Sequence, residues 1–324
     1  MNRETESPSN AGTTHIVWRY NTLPWLLLLV SVALVCTQVE RPRLLLNVWV
    51  PWAEVGCMAL IMTPIVLVGG IDLSVGAIVA LCGIVMGVLI QDFGWTATAA
   101  TIAALSTGTA AGALNGTLIT MGISPLVTTL ATMAFFRGLA MTISSADSVK
   151  DFPELFLEQS IQFGIPTQFF LLAIVLIASG GIVHFTVFGR WLYAIGDNRI
   201  AARFAAVPVR RVDLCLYTAC GVVAALVAIL NAMRHNVAIP NAHVGMELQA
   251  IACIVVGGTL ITGGHGSILR TLLGLAIISN LDIALGFLSS RVQFVNSESR
   301  LIVIGTLLIA VAVWTERTQG APES

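Results

Sequence analysis

The stretch "IVLVGGIDLSVGAIVAL", residues 65–81, decides how this chain is read. It sets one carboxylate, Asp72, behind a Gly69–Gly70 pair in an otherwise apolar run. A charge at the bilayer centre is costly and by default marks a functional site. Spacing argues for a different place. Glu54 and Asp72 are separated by 17 uncharged residues, about 25 Å of helix, and Asp72 and Asp92 by 19, about 28 Å. Each interval is close to one crossing of the hydrocarbon core. Asp72 is therefore expected in a turn between two spans, near the cytoplasmic interface. Gly69 and Gly70 would end the first helix, and Asp72 or Ser74 would cap the second. Pro64 allows a broken and deeper geometry.

Composition agrees with a membrane protein. The 324 residues are 56% hydrophobic and 10% charged, with a mean hydropathy of +0.90, against about 25% charged in a soluble domain. The net charge of -1 comes with no basic block or stacking platform, so nucleic acid is not an expected partner. The six cysteines form no CxxC pair and no Cys/His cluster at metal spacing, and are expected as small buried apolar residues. Residues 1–22 are polar and lack the early apolar core of a secretory signal; they are expected to be a cytoplasmic tail before an uncleaved first span.

Ten stretches are long and apolar enough for membrane helices, at about 23–39, 53–70, 73–91, 95–120, 125–143, 167–187, 213–231, 247–262, 268–287 and 299–314. The expected fold is all-α and polytopic, with about ten transmembrane helices, some short or broken. One transmembrane domain would occupy 23–314, followed by a cytoplasmic tail at 315–324. Residues 188–212 carry five arginines and no lysine, which places that loop in the cytoplasm and both termini with it. The acidic stretch 144–166 is the longest outer loop. Small residues crowd 106–116 and 255–267, as close helix contacts in lipid require. "VLVGGIDLSVG" and "IVVGGTLITGG" echo one another faintly.

Enzyme chemistry finds no support. Ser124 precedes Pro125 and reads as a helix cap, not as a protease nucleophile. The only lysine, Lys150, lies between Val149 and Asp151, so there is no P-loop. If transport is ATP-driven, the motor is another chain. The stretch "FGRWLYAIGDNRIAARFAAVPVRR", 188–211, offers a short helix with Asp197 or Asn198 as its cap and Pro208 as its stop. Ile200, Phe204 and Val207 would share one face and Arg199 and Arg203 an adjacent one. Such a helix suits docking in a partner's groove. A solvated loop held inside by its charge explains the same pattern.

"GGIDLSVGAIVAL" at 69–81, "GALNGTLI" at 112–119, "SPLVTTLATMAFFRGLA" at 124–140, "FGRWLYAIGDNRIAARFAAV" at 188–207 and "GMELQAIACIVVGGTLITGGHGSILRTLLG" at 245–274 occur in order along the chain. Together they resemble the ribose-type sugar permeases of bacterial binding-protein-dependent ABC importers. The resemblance implies an inner-membrane subunit that makes and breaks no bond. It implies a second permease, two cytoplasmic ATPases that bind the ATP and magnesium, and a periplasmic or lipid-anchored sugar-binding protein. No cofactor or metal is implied for this chain. The ATPase-coupling segment implied by the family comprises Gly189, Arg190, Gly196, Asp197, Asn198, Arg199, Ala201, Ala202, Arg203 and Phe204. The chain departs from the family where acidic residues are replaced by Arg199 and Ile200, and where a Gly-Ile is replaced by Ala206-Val207. Similar permeases serve ribose, other pentoses, galactose, rhamnose and the signal autoinducer-2. An ion-coupled transporter is the rival class, with Asp72 and Asp282 as its only carboxylate candidates.

Arg137 and Asp282 each lie 12 residues, about 18 Å, into a helix that starts from the cytoplasmic side, at Pro125 and Arg270 respectively. They are expected either to pair, or to leave Arg137 snorkelling outward or capping the carbonyls of a broken helix. Asn115, Asn231 and Asn280 are expected to bond between helices.

Overall fold

The computed structural model describes residues 28–29, 32–33, 42–150, 152, 161–162, 164–289, 302 and 305–306. The expected first and last spans lie largely outside these residues, and both tails lie outside them entirely. The remaining eight expected stretches correspond to helices α1 (Pro42–Leu67), α2 (Val75–Gln91), α3 (Ala97–Thr120), α4 (Pro125–Ile143), α5 (Thr167–Phe185), α8 (Val209–His235), α9 (Met246–Val256) and α10 (Ile268–Ser289). Between α5 and α8 lie the short helices α6 (Val187–Asp197) and α7 (Arg199–Phe204). Among the described residues, six helices are long and apolar enough to cross a membrane, while α2 and α9 are shorter. Strands β1 (Val149–Lys150), β2 (Ile161–Gln162), β3 (Ile165–Pro166) and β4 (Val237–Ala238) qualify the all-α expectation. They pair antiparallel as β1 with β4 and β2 with β3. The 144–166 stretch is thus partly laddered, not simply a loop.

The chain divides into two compact units, Glu40–Leu275 and a smaller one of Met1–Val39 with Ala276–Ser324. In the smaller unit, Asn280 Nδ2 donates to the Ala276 carbonyl of its own helix at 2.8 Å. This bond stays within the helix, unlike the bond between helices expected for it.

In the larger unit α2 is apolar on every side and buried from Val75 to Gly83, as such a helix must be. It packs against α3, α4 and α8, and α1 packs against α5, α8 and α9. The α3–α8 contact is set by the small-residue run. A Cβ on Gly108 would lie 2.4 Å from the Gly221 carbonyl, and one on Gly112 would lie 2.2 Å from the Tyr217 carbonyl. The two backbones touch, which is what small residues permit where lipid offers no hydrophobic drive for association.

Helix ends follow local chemistry. Thr96 Oγ1 accepts from Ala99 N and opens α3. Pro125 opens α4, but Ser124 makes no side-chain cap bond, and only its carbonyl is engaged, by Thr128 N. That corrects the expected Ser124 cap. Helix α1 begins at Pro42, not near residue 53, and carries Pro51 and Pro64 within it. It closes in a Schellman turn: Gly70 N donates to Ile65 O and Gly69 N to Val66 O, both at 2.9 Å, with Gly69 at φ +76°. Helix α9 ends the same way, with Thr259 N on Ile254 O and Gly258 N on Val255 O. The echo between the two sequences is this shared ending.

The 247–262 expectation fails in a useful way. Helix α9 has 11 residues, about 16 Å, too short for a crossing. Before it, non-helical chain runs down α2: the short strand β4 is followed by turns over residues 240–245. The Gly83 Cβ position faces Ala238 and the Gly76 Cβ position meets the His243 carbonyl at 2.3 Å. After α9 the loop reaches the α1–α2 turn, where Gly264 N donates to Leu67 O at 2.9 Å. Half of this passage is strand and turn and half is helix.

Gly112→Leu is expected to force α3 from α8 and to cost more than the roughly 1–3 kcal/mol of ordinary core overpacking. Thermal melting of the purified protein checks this, with Gly138→Ala, which meets open space, as the silent comparison.

Candidate functional site

The segment 186–207 is built to hold one short helix rigidly at a surface. Thr186 Oγ1 accepts from Gly189 N at 3.3 Å and opens α6. Leu192 and Ile195 are buried and anchor it. Gly189 lies against the Val183 carbonyl, where a Cβ would approach to 2.0 Å. Asn198 Oδ1 takes the N–H groups of Ile200 at 3.0 Å and Ala201 at 2.9 Å, and so caps α7. Arg199 is ion-paired with Asp213 of α8, so this arginine fastens α7 to the bundle. Tyr193 donates to the Gly266 carbonyl at 3.0 Å, and burial pushes its phenol upward from the usual range.

What α7 presents outward is apolar. Ala202 faces inward, while Ile200 is 69% and Phe204 89% exposed. Arg190, Asp197, Ala201 and Arg203 are also exposed, and Gly196 is half-buried. Val207 does not join the face expected for it. It lies beyond the helix, half-buried, donating to Ala202 O to complete a Schellman turn around Ala206 at φ +60°.

A second group of polar residues secures non-helical backbone in the interior. Asp72 is fully buried. Its Oδ1 accepts from Ser74 N at 2.9 Å and from Ser74 Oγ at 2.7 Å. Ser74 itself makes no side-chain cap bond to α2. Instead its hydroxyl accepts from Asn115 Nδ2 of α3 at 2.8 Å. The Ile71 carbonyl receives Tyr217 of α8 and Thr129 of α4, each at 3.3 Å. The turn is thereby tied to three helices.

Arg137 serves the turns before α9. Its Nη1 donates to Pro240 O at 2.7 Å and Ala242 O at 2.6 Å. This is carbonyl capping, one of the uses open to it from sequence. Asp282 belongs to the smaller unit. Nothing in the sequence marked Glu54 for burial within α1, where its Oε2 accepts from Asn231 of α8 at 2.9 Å. Nor did it mark His243, whose carbonyl packs on Gly76. A proline directly before an asparagine, "IPNAH", was the only hint of non-helical chain there.

These features belong to a helical membrane scaffold, and comparison with known proteins gives its family. Residues 44–312 match the family model described as branched-chain amino acid transport system / permease component. The chain belongs to this permease family. It is 34% identical over 315 residues to the ribose import permease protein of Escherichia coli (strain K12), covering 91% of this chain and 96% of that protein. It is 36% identical over 250 residues to the D-allose transport system permease protein of the same strain, covering 76% and 74%. It is 35% identical over 274 residues to the fructose import permease protein of Bifidobacterium longum (strain NCC 2705), covering 79% and 77%. No solved structure matches the chain at comparable stringency. The permease is a multi-pass inner-membrane transport component, not an enzyme.

Arg137→Met would leave the Pro240 and Ala242 carbonyls of the permease without their donor. The expected loss is about 2–4 kcal/mol, from about 1–3 per buried unpaired group, read as a lower melting temperature of the purified protein. Arg137→Lys is expected to recover part of it.

Proposed function

We infer that the chain is the translocating permease of an ATP-driven importer that carries a monosaccharide inward. The observation carrying this is that ribose import permeases of Escherichia coli and Bacillus subtilis each align with 91% of the chain. The arginine-rich 188–212 loop and both termini lie in the cytoplasm. Helix α7 is the coupling helix. Phe204 and Ile200 enter an apolar groove of a separate ATPase, with Arg190 and Arg203 at its rim. Asn198 and the Arg199–Asp213 pair keep α7 in one orientation, so that a displacement of the ATPase displaces the permease.

The working assembly pairs this chain with a second permease, two ATPases and a periplasmic or lipid-anchored binding protein. ATP and magnesium reside in the ATPases. Their closure moves the two coupling helices and alternates the gap between the permeases from outward to inward opening. Sugar enters that gap from the binding protein, which holds most of the selectivity. Pairing of Arg137 with Asp282 is a further proposal and would use guanidinium nitrogens other than Nη1. Charge reversal at both positions should then restore uptake lost by either reversal alone, and no rescue would end the idea.

The description of the family names branched-chain amino acids, which makes an amino acid the second reading. The test is uptake by the complete transporter in vesicles with a panel of ribose, allose, fructose, galactose, rhamnose, autoinducer-2 and leucine. Saturable uptake of one sugar is expected, driven by ATP and indifferent to collapse of the proton gradient. Uptake of leucine alone would favour the second reading, uptake of autoinducer-2 alone the signal importer, and dependence on the gradient the ion-coupled class.

A further inference from the structure

We propose that Gly196 is a positioning residue: the point at which the coupling segment bears, backbone on backbone, on both helix breaks of the permease. The proposal rests on the coupling reading of α6 and α7. Three loops distant in sequence meet there. A Cβ on Gly196 would lie 2.0 Å from the Leu67 carbonyl and 2.3 Å from Gly264 N. Those two atoms are already hydrogen-bonded to each other at 2.9 Å. The end of α6 therefore rests on the bond that joins the α1–α2 turn to the α9–α10 loop.

Looser backbone contacts surround it. A Cβ on Gly263 would lie 2.9 Å from Gly69 N, one on Gly69 3.3 Å from Thr262 O, and one on Gly264 3.4 Å from Asp197 N. Side chains in contact can absorb a displacement by changing rotamer, but touching backbones have no such slack. Close-packed interiors transmit strain, and small shifts become rigid-body movements when the packed elements have discrete arrangements.

From this junction the connections diverge. Residues 71–74 are tied to α3, α4 and α8 through Asn115, Thr129 and Tyr217. The other loop leads back through α9 to the turns that Arg137 holds. At the far side of that loop, Cβ atoms on Gly257 and Gly274 would lie 2.1 Å from Arg270 O and 1.9 Å from Cys253 O, so the end of α9 and the first turns of α10 are in backbone contact. A displacement of α6 is thus delivered to the foot of α1 and α2 and to the broken passage at once.

The test is Gly196→Ala in the complete transporter, reading ATPase co-purification, ATP hydrolysis and sugar uptake together. The expected result is that the ATPases still bind and hydrolyse ATP within about threefold of the parent, while sugar moved per ATP falls at least tenfold. Gly181→Ala, where a Cβ meets open space, should keep the parental ratio. A ratio within twofold of the parent in Gly196→Ala overturns the proposal and leaves the docking reading intact. Phe204→Ala tests that reading by itself: undiminished ATPase binding there refutes docking through α7.

Hydrogen exchange on the parent transporter decides the matter if Gly196→Ala does not accumulate. Segments 67–70, 195–198 and 262–264 should change protection in step when the ATPases are closed with ATP and vanadate. A change confined to 195–198 would overturn the relay.

Discussion

A backbone N–H or carbonyl in the hydrocarbon region has no water to bond, and each one left unpaired costs several kcal/mol. Helices meet this demand within themselves. Every departure from helix in this permease has to be supplied from elsewhere, and several of the polar side chains in its interior do that work. Asp72 holds the N–H and hydroxyl of Ser74, Tyr217 and Thr129 reach the Ile71 carbonyl, and Arg137 spans two carbonyls of the turns before α9. A carboxylate and a guanidinium that look like ion sites in sequence act here as backbone partners.

That distinction explains what could be read beforehand. The spans from α2 to α5, α8 and α10 were legible because about twenty apolar residues between turn formers admit one structure in lipid. The turn at Asp72 was legible from its glycine pair and from the spacing to Asp92, which closes α2; the spacing from Glu54 measured no crossing, because Glu54 lies within α1. The passage before α9 was not. Its residues, "NVAIPNAHVG", are as apolar as those of a span end, and the donor for two of its turn carbonyls is Arg137, about a hundred residues earlier. Glu54 was hidden for a related reason: a glutamate in an apolar run reads as the edge of a span, whereas Asn231 of a distant helix makes its burial tolerable. In the 188–207 segment, the Asn198 cap and Arg199 were visible as residue types. That Arg199 turns to Asp213, away from any partner, depends on tertiary contact.

The glycines divide by the same logic. Those of α3 serve packing between helices, where a methyl group would separate two backbones. Those at 69, 196 and 263–264 bring three loops together where side chains would hold them apart. A transporter that must move as connected bodies benefits from joints without rotamer freedom, and glycine contacts provide them at little cost in volume. Their cost is conformational entropy on folding, offset here by the hydrogen bonds the close approach allows.

The two Schellman turns at Gly69 and Ala206 show which constraint acts where. Both C′ residues are left-handed, at φ +76° and +60°, and both turns make the same pair of backbone bonds. At position 69 a Cβ would also press on the Thr262 carbonyl at 3.3 Å, so conformation and space both call for glycine. Ala206 is exposed and only conformation opposes it, at a cost of about 1 kcal/mol. A chain that keeps glycine at the crowded turn and accepts alanine at the open one separates two demands that sequence alone merges. The crowded turn belongs to the junction under α6, and its exact fit to the 262–264 loop is the stronger reason to read that junction as part of the moving machinery.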